Sequence, residues 1–203
     1  MVAIAQAAFS QKNQKEHTAI LLIEFQKTWT DKGIFKWIIK SEYESRNVLS
    51  NTQHLIANAR KEGIQVIQAP LILDKNDENF KKTPFPARLL KRFTTGTWKA
   101  EFTDGIYEKS DILVKGRCGF DACEGSDLEQ LLELNNIKTV FICGFTTDHC
   151  VKETMISLIE KGFNCVLVSD CTATKNKKLQ KKIEKEFTVI SSKCLIDKMN
   201  TKK

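Results

Sequence analysis

The sequence predicts an α/β protein: a single-domain, three-layer α/β/α sandwich around a mostly parallel, six-stranded sheet. Two observations carry this. Short apolar runs suited to strands buried on both faces alternate along the chain with stretches of helical period, the pattern that builds parallel sheets through right-handed crossovers. The segment Lys138 to Gly162 shows the unit in its fullest form. There the apolar run Thr139 to Cys143 breaks at Gly144, and apolar residues return at Val151, Met155, Leu158 and Ile159. That is a buried strand, a tight turn and an amphipathic helix.

In chain order, residues 1–17 show no clear period and read as an N-terminal arm. Ala19 to Ile23 reads as a central strand halted by Glu24. Residues 41–62, with Val48, Leu55, Ile56 and Ala59, read as one helix closed by Gly63. Ile64 to Ile72 supplies the second strand. Residues 73–108 hold two of the three prolines among charges and aromatics, which predicts a loop-rich excursion with a short helix over Ala87 to Arg92. Asp111 to Val114 is the third strand, followed at once by Lys115 and then by a glycine-bearing turn and the helix Asp127 to Leu134. After the strand from Thr139, the fifth runs Asn164 to Ser169 and ends at Asp170, and the sixth is Thr188 to Ser191. The domain is assigned to residues 18–197 and a basic tail to 198–203.

Composition narrows the classes of function. The seven cysteines form no CxxC pair, and no segment resembles a secretory signal, so a reducing, cytoplasmic setting is expected rather than a disulfide framework. No apolar run is long enough to span a bilayer. Of the net charge of +7, all resides in residues 175–203, the rest of the chain balancing 22 basic against 22 acidic residues. Within 176–187 the apolar Leu179, Ile183 and Phe187 recur at helical spacing, so the lysines read as the solvated face of a packed helix. Without interleaved aromatics they do not suggest nucleic acid, and a membrane partner is not expected either. No GxGxxG follows a strand, which argues against a dinucleotide cofactor.

Ligand crevices in such sheets lie beyond the carboxyl ends of the strands. Glu24, Lys115 and Cys150 each follow a different apolar strand and can meet there. A carboxylate can take a thiol proton and an ammonium can stabilise thiolate and oxyanion. A thiol in the first turn of a helix faces unpaired N–H groups and the positive end of the dipole, so Cys150 is expected to favour thiolate. The plain alternatives are a buried structural cysteine and a structural ion pair.

Three motifs resemble the isochorismatase-like cysteine hydrolase superfamily, which includes nicotinamidases, ureido-amide hydrolases and isochorismatases. They are EFQKTW with Glu24, Gln26 and Trp29; LVKGRCGF with Lys115 and Arg117; and GFTTDHCV with Gly144, Phe145, Thr147, Cys150 and Val151. The similarity extends from about residue 18 to about residue 197. It implies the isochorismatase-like hydrolase fold and a triad of Glu24 as base and acid, Lys115 as stabiliser and Cys150 as nucleophile. A cis peptide at Phe145–Thr146 is implied, as is an oxyanion hole made of the N–H groups of Thr146 and Cys150. The implied reaction is hydrolysis of a C–N bond in a small amide or ureido compound through a thioester, by a homodimer or homotetramer.

Two departures stand out: Glu24 occupies a position that is nearly always Asp in the family, and the segment after Lys115 is about two residues longer than usual. Nicotinamidases of the superfamily hold a metal through an Asp-x-His and a further His, but this chain has no His between His54 and His149, so no metal and no other cofactor is expected. Phe25, Trp29, Trp98, Arg117, Phe120, Phe145 and His149 are candidate pocket residues, although an aromatic is more often core packing than a substrate contact. Competing readings are a catalytically silent binding protein, a thiol redox protein pairing Cys150 with Cys118, Cys123 or Cys143, and a vinyl-ether hydrolase. The last is disfavoured because isochorismatases proper lack the nucleophilic cysteine.

Overall fold

The sheet has the strand order β3-β2-β1-β4-β5-β6, and all five neighbouring pairs are parallel. A computed structural model describes residues 12–74, 81 and 93–201. The strands are β1 (Thr18–Ile23), β2 (Gln65–Ala69), β3 (Ile112–Leu113), β4 (Thr139–Phe145), β5 (Asn164–Ala173) and β6 (Val189–Ile190). The middle strand β1 is buried along its whole length, as expected of an unbroken apolar run with helices on both faces. One apolar cluster, including Ile20, Leu22, Leu55, Ile56, Phe141 and Val166, lies on one face of the sheet. A second, including Leu21, Ile23, Leu128, Ile142, Val151 and Met155, lies on the other. The alternation of Leu21 and Leu22 between the clusters is the period of two of a strand.

The helices are α1 (Lys27–Thr30), α2 (Ile34–Ser45), α3 (Val48–Lys61), α4 (Leu128–Leu134), α5 (Lys152–Glu160), α6 (Lys177–Glu184) and α7 (Ser192–Asn200). Before β1, Lys12–His17 forms a short 3₁₀ helix, so the arm expected over 1–17 is ordered where it meets the sheet. The single helix expected over 41–62 is two helices. Arg46 closes α2, and Asn47, at φ 51°, turns the chain into α3, a left-handed conformation that Asn tolerates better than most residues. Strand β4 continues through Gly144 to Phe145, and β5 continues past Asp170 to Ala173. Helix α7 reaches Asn200, so the first residues of the expected tail are helical. The short helix expected over Ala87 to Arg92 lies outside the described residues. From the rest of that excursion, residues 99–103 pack against the start of α1. Lys27 N donates to Glu101 O, Thr28 N to Lys99 O and Thr103 N to Phe25 O. No helix among the described residues is long and apolar enough to cross a membrane.

Candidate active site

The site begins where β1 runs out. Glu24 sits at φ 55°, a conformation costly for a residue with a Cβ and kept only where its surroundings enforce it. Its N–H donates to Ala69 O at 3.3 Å and its carbonyl accepts from Gln26 N at 2.6 Å. Gln26 in turn staples neighbouring segments, bonding Leu71 through both its amide atoms and also reaching Ala100 O. The carboxylate of Glu24 thereby points inward and is buried. One of its oxygens accepts from Trp29 Nε1 at 2.9 Å, and the other from Arg117 Nη2 at 2.6 Å.

Arg117, not Lys115, is the cation of the site. Gly116, at φ 81°, breaks the extended run after β3, between Lys115 and Arg117. Lys115 is exposed, and its backbone, not its ammonium, is anchored: its N–H donates to Asp127 Oδ1 at 2.7 Å and its carbonyl accepts from Asp127 N. Arg117 is buried and uses its whole fork. Besides Glu24 it donates to Ala69 O at 2.9 Å, Gly119 O at 3.2 Å and Phe120 O at 2.8 Å. Burial disfavours its charge, but Glu24 and Cys150 more than offset this and raise its pKa. A guanidinium so placed remains positive at any pH the fold survives.

Cys150 lies in the turn after β4, where Thr147–Val151 form a widened π-type turn that leads into α5. The peptide Phe145–Thr146 is cis, the conformation the resemblance implies. Gly144, at φ 130°, lets β4 pass close to β1, because a Cβ there would stand 2.0 Å from Ile23 O. On the inner side of the turn, Thr147 Oγ1 donates to Gln180 Oε1 and pairs with Thr172 Oγ1, both at 2.8 Å, and Thr172 Oγ1 bonds Gly144 O at 2.7 Å. On the other side Thr154 Oγ1 bonds Cys150 O at 2.7 Å and accepts from Ala122 N.

The thiol is only 4% exposed and interacts directly with both Glu24 and Arg117. Its electrostatics reverse the sequence expectation of a ready thiolate. Burial pushes its pKa well above 9.0, Glu24 pushes it further, and Arg117 only partly opposes them. Desolvation outweighs the turn's dipole. The direction of that shift favours thiol over thiolate at Cys150.

The other candidates separate clearly. Phe25 and Phe145 are core, with ring centroids 4.8 Å apart. Trp29 is wedged between Phe35 and Phe145 and serves Glu24 through its indole N–H. Trp98 lies beneath the ammonium groups of Lys32 and Lys99, with no contact that ties it to Cys150. Phe120 and His149 do flank the site: Phe120 is 46% exposed, its carbonyl bonds Arg117, and its ring meets the His149 ring at 6.1 Å. They form an open aromatic rim beside the buried thiol. Among the described residues no three His, Cys, Asp or Glu side chains gather as metal ligands, and the cysteines, Cys118, Cys123 and Cys143 included, form no disulfide. Sequence reasoning missed Gln180, whose partner Thr147 lies far along the chain and leaves no local pattern, and it named Gln26 as a motif residue without its stapling role.

Comparison with known proteins bears on this arrangement. A family model described as the isochorismatase domain matches residues 18–192. An uncharacterised isochorismatase family protein of Bacillus subtilis (strain 168) is 30% identical over 78% of this chain and 75% of its own. A probable inactive nicotinamidase of Arabidopsis thaliana is 25% identical over 77% and 81%. Among solved structures, a cysteine hydrolase from Pseudomonas syringae pv. phaseolicola 1448A superposes with a TM-score of 0.78 at 16% identity, covering 91% of this chain and 93% of that one. The N-carbamoylsarcosine amidase of Thermoplasma acidophilum gives 0.69 at 19%, covering 86% and 96%. At such identities the structural likeness speaks for the fold alone.

Proposed function

This chain belongs to the isochorismatase family and has its hydrolase fold, and on that premise we propose that it is a cysteine hydrolase of small amide, carbamoyl or ureido compounds. The observation that carries the reading is the burial, in mutual contact, of a carboxylate, a guanidinium and a thiol at the ends of β1, β3 and β4. The likeness to an N-carbamoylsarcosine amidase agrees with it.

In this mechanism Cys150 Sγ attacks the carbonyl carbon while its proton passes to the Glu24 carboxylate. The oxyanion is received by the N–H groups of Thr146 and Cys150, with Arg117 supplying the positive potential assigned to Lys115 by resemblance. Collapse of the tetrahedral adduct breaks the C–N bond, and Glu24 returns its proton to the departing ammonia or amine. Water then attacks the thioester as Glu24 takes a proton from it, and the thiol leaves reprotonated. Trp29 holds the carboxylate in place throughout, and Phe120 with His149 forms the entrance.

A second reading, a catalytically silent binding protein, is favoured by one specific observation: both oxygens of Glu24 are already occupied, by Trp29 and Arg117. The test is ammonia release from a panel of primary amides, carbamoyl and ureido compounds by the parent and by Cys150→Ala. Release by the parent that disappears in the variant supports the hydrolase. No release across the panel supports the silent protein.

A further inference from the structure

Away from Cys150, α2 and α6 expose a face that the proposed chemistry does not use. On α2, Ile34, Trp37, Ile38 and Ser41 stand at i, i+3, i+4 and i+7, a single stripe. That stripe points outward: Trp37 is 74% exposed and Ile34 51%, while Ile39 and Tyr43 supply the inward face. A tryptophan so placed is a large apolar surface without an intramolecular use. Beside it a depression of about 590 Å³ is lined by Trp37, Ile38, Ser41, Lys175 and Asn176, among others. A second of about 560 Å³, sharing Lys175 and Asn176, continues along α6 past Lys178, Leu179, Lys181, Lys182 and Lys185. The two adjoin at Lys175 and Asn176 as a shallow trough that begins against α2 and continues along α6 alone, apolar at first and cationic beyond.

The charge of this trough is uncompensated. Among the described residues none of Lys175, Lys178, Lys181, Lys182 and Lys185 forms an ion pair, whereas nearby Lys152 is paired with Glu186. Glu44 is the one acid in its lining. The whole excess of the chain, +7, lies in residues 175–203. Unpaired lysines that line a concavity ending on an exposed tryptophan ask for an anion that also brings an apolar group.

We propose that the shallow trough running from α2 onto α6 docks an acidic peptide segment of a partner protein, with apolar side chains seated against Trp37 and Ile38 and carboxylates along the α6 lysines. Charge complementarity selects this occupant. A second copy placed symmetrically on the same face would set lysine against lysine. A single-stranded nucleic acid would need aromatic platforms along the lysines, where there is none among the described residues.

The experiment is fluorescence anisotropy of the full chain with a fluorescein-labelled peptide of glutamates carrying a leucine at every fourth position. Parallel arms use phosphatidylserine vesicles, duplex DNA and sedimentation of the protein alone. The parent is expected to bind the peptide, less tightly as salt rises, and Trp37→Ser and the double variant Lys178→Glu/Lys181→Glu to weaken binding about tenfold each at unchanged melting temperature. A peptide with serine for leucine is expected to lose affinity as well. The proposal is overturned if the parent fails to bind the peptide, if either variant binds it like the parent, or if vesicles or DNA bind more tightly through the same residues. A dimer that Trp37→Ser dissociates also overturns it.

Discussion

Replacing Arg117 by methionine keeps much of the side chain's length while deleting its charge and its four donated bonds, to Glu24, Ala69, Gly119 and Phe120. The larger effect falls on Glu24, left as a buried carboxylate with only the uncharged Trp29 indole and the Cys150 thiol as side-chain partners. Removing one member of a buried ion pair costs about 3–5 kcal/mol, because the other charge is stranded. For a chain of this size each kcal/mol lowers the melting temperature by about 2–4 °C, so Arg117→Met should fall by about 6–20 °C. Adding Glu24→Gln removes the stranded charge and should restore a large part of the loss, a coupling that a double-mutant cycle reads directly. Lys115→Ala, whose fixed contacts are made by backbone atoms, should stay within about 0.5 kcal/mol of the parent. Urea and thermal unfolding of the parent, Arg117→Met, Glu24→Gln, their double variant and Lys115→Ala decide the matter. If Lys115→Ala were as damaging as Arg117→Met, or if the double variant were no better than the single, the assignment of the buried cation would be refuted.

Three more outcomes follow from the same geometry. The Cys150 thiol, its pKa raised well above 9.0 by burial and by Glu24, should alkylate slowly near neutral pH and accelerate only under strongly alkaline conditions. Arg117→Met should slow it further, since Arg117 is the group that lowers that pKa; peptide mapping separates Cys150 from the exposed Cys194, and rapid neutral-pH labelling would contradict the placement. Gly144→Ala should yield no stable fold, since its Cβ would stand 2.0 Å from a backbone oxygen, whereas Gly63→Ala, with open space around it, should cost only about 1–2 kcal/mol for its positive φ. Gln180→Leu removes the acceptor of the buried Thr147 hydroxyl and should cost about 1–3 kcal/mol, with an altered alkylation rate at Cys150; an unchanged rate would detach Gln180 from the cysteine turn.

The sheet was legible because its strands are buried on both faces and so read as unbroken apolar runs, β1 above all. Where polarity was taken as an ending, it misled. Asp170 sits inside β5 because its carboxylate has partners in Ser192 N and Oγ, contacts invisible to local pattern. Helix α2 was missed because it is apolar on two sides, Ile39 and Tyr43 inward and the Trp37 stripe outward, which blurs its period. At the site, Glu24 and Cys150 could be found because Glu24 directly follows a strand and Cys150 sits in the turn between a strand and an amphipathic helix. The choice between Lys115 and Arg117 could not, since strand alternation puts both on one side. Gly116 decides it by ending the alternation, and a glycine's φ is not written in its letter. The aromatic candidates divided between core and rim for a similar reason: a phenylalanine has the same pattern value in either place.

Ala69 O accepts from both Glu24 N and Arg117 Nη1. The acid and the base-pairing cation, which come from segments 93 residues apart, are thus gauged against one peptide oxygen at the end of β2. No side-chain replacement at residue 69 can remove that oxygen, and Pro70 behind it restricts Ala69 to extended backbone. The spacing of the two charges is therefore insulated from ordinary point substitution at that position. What it is exposed to is length: one residue inserted or deleted at the end of β2 would shift the shared datum and displace acid and cation together.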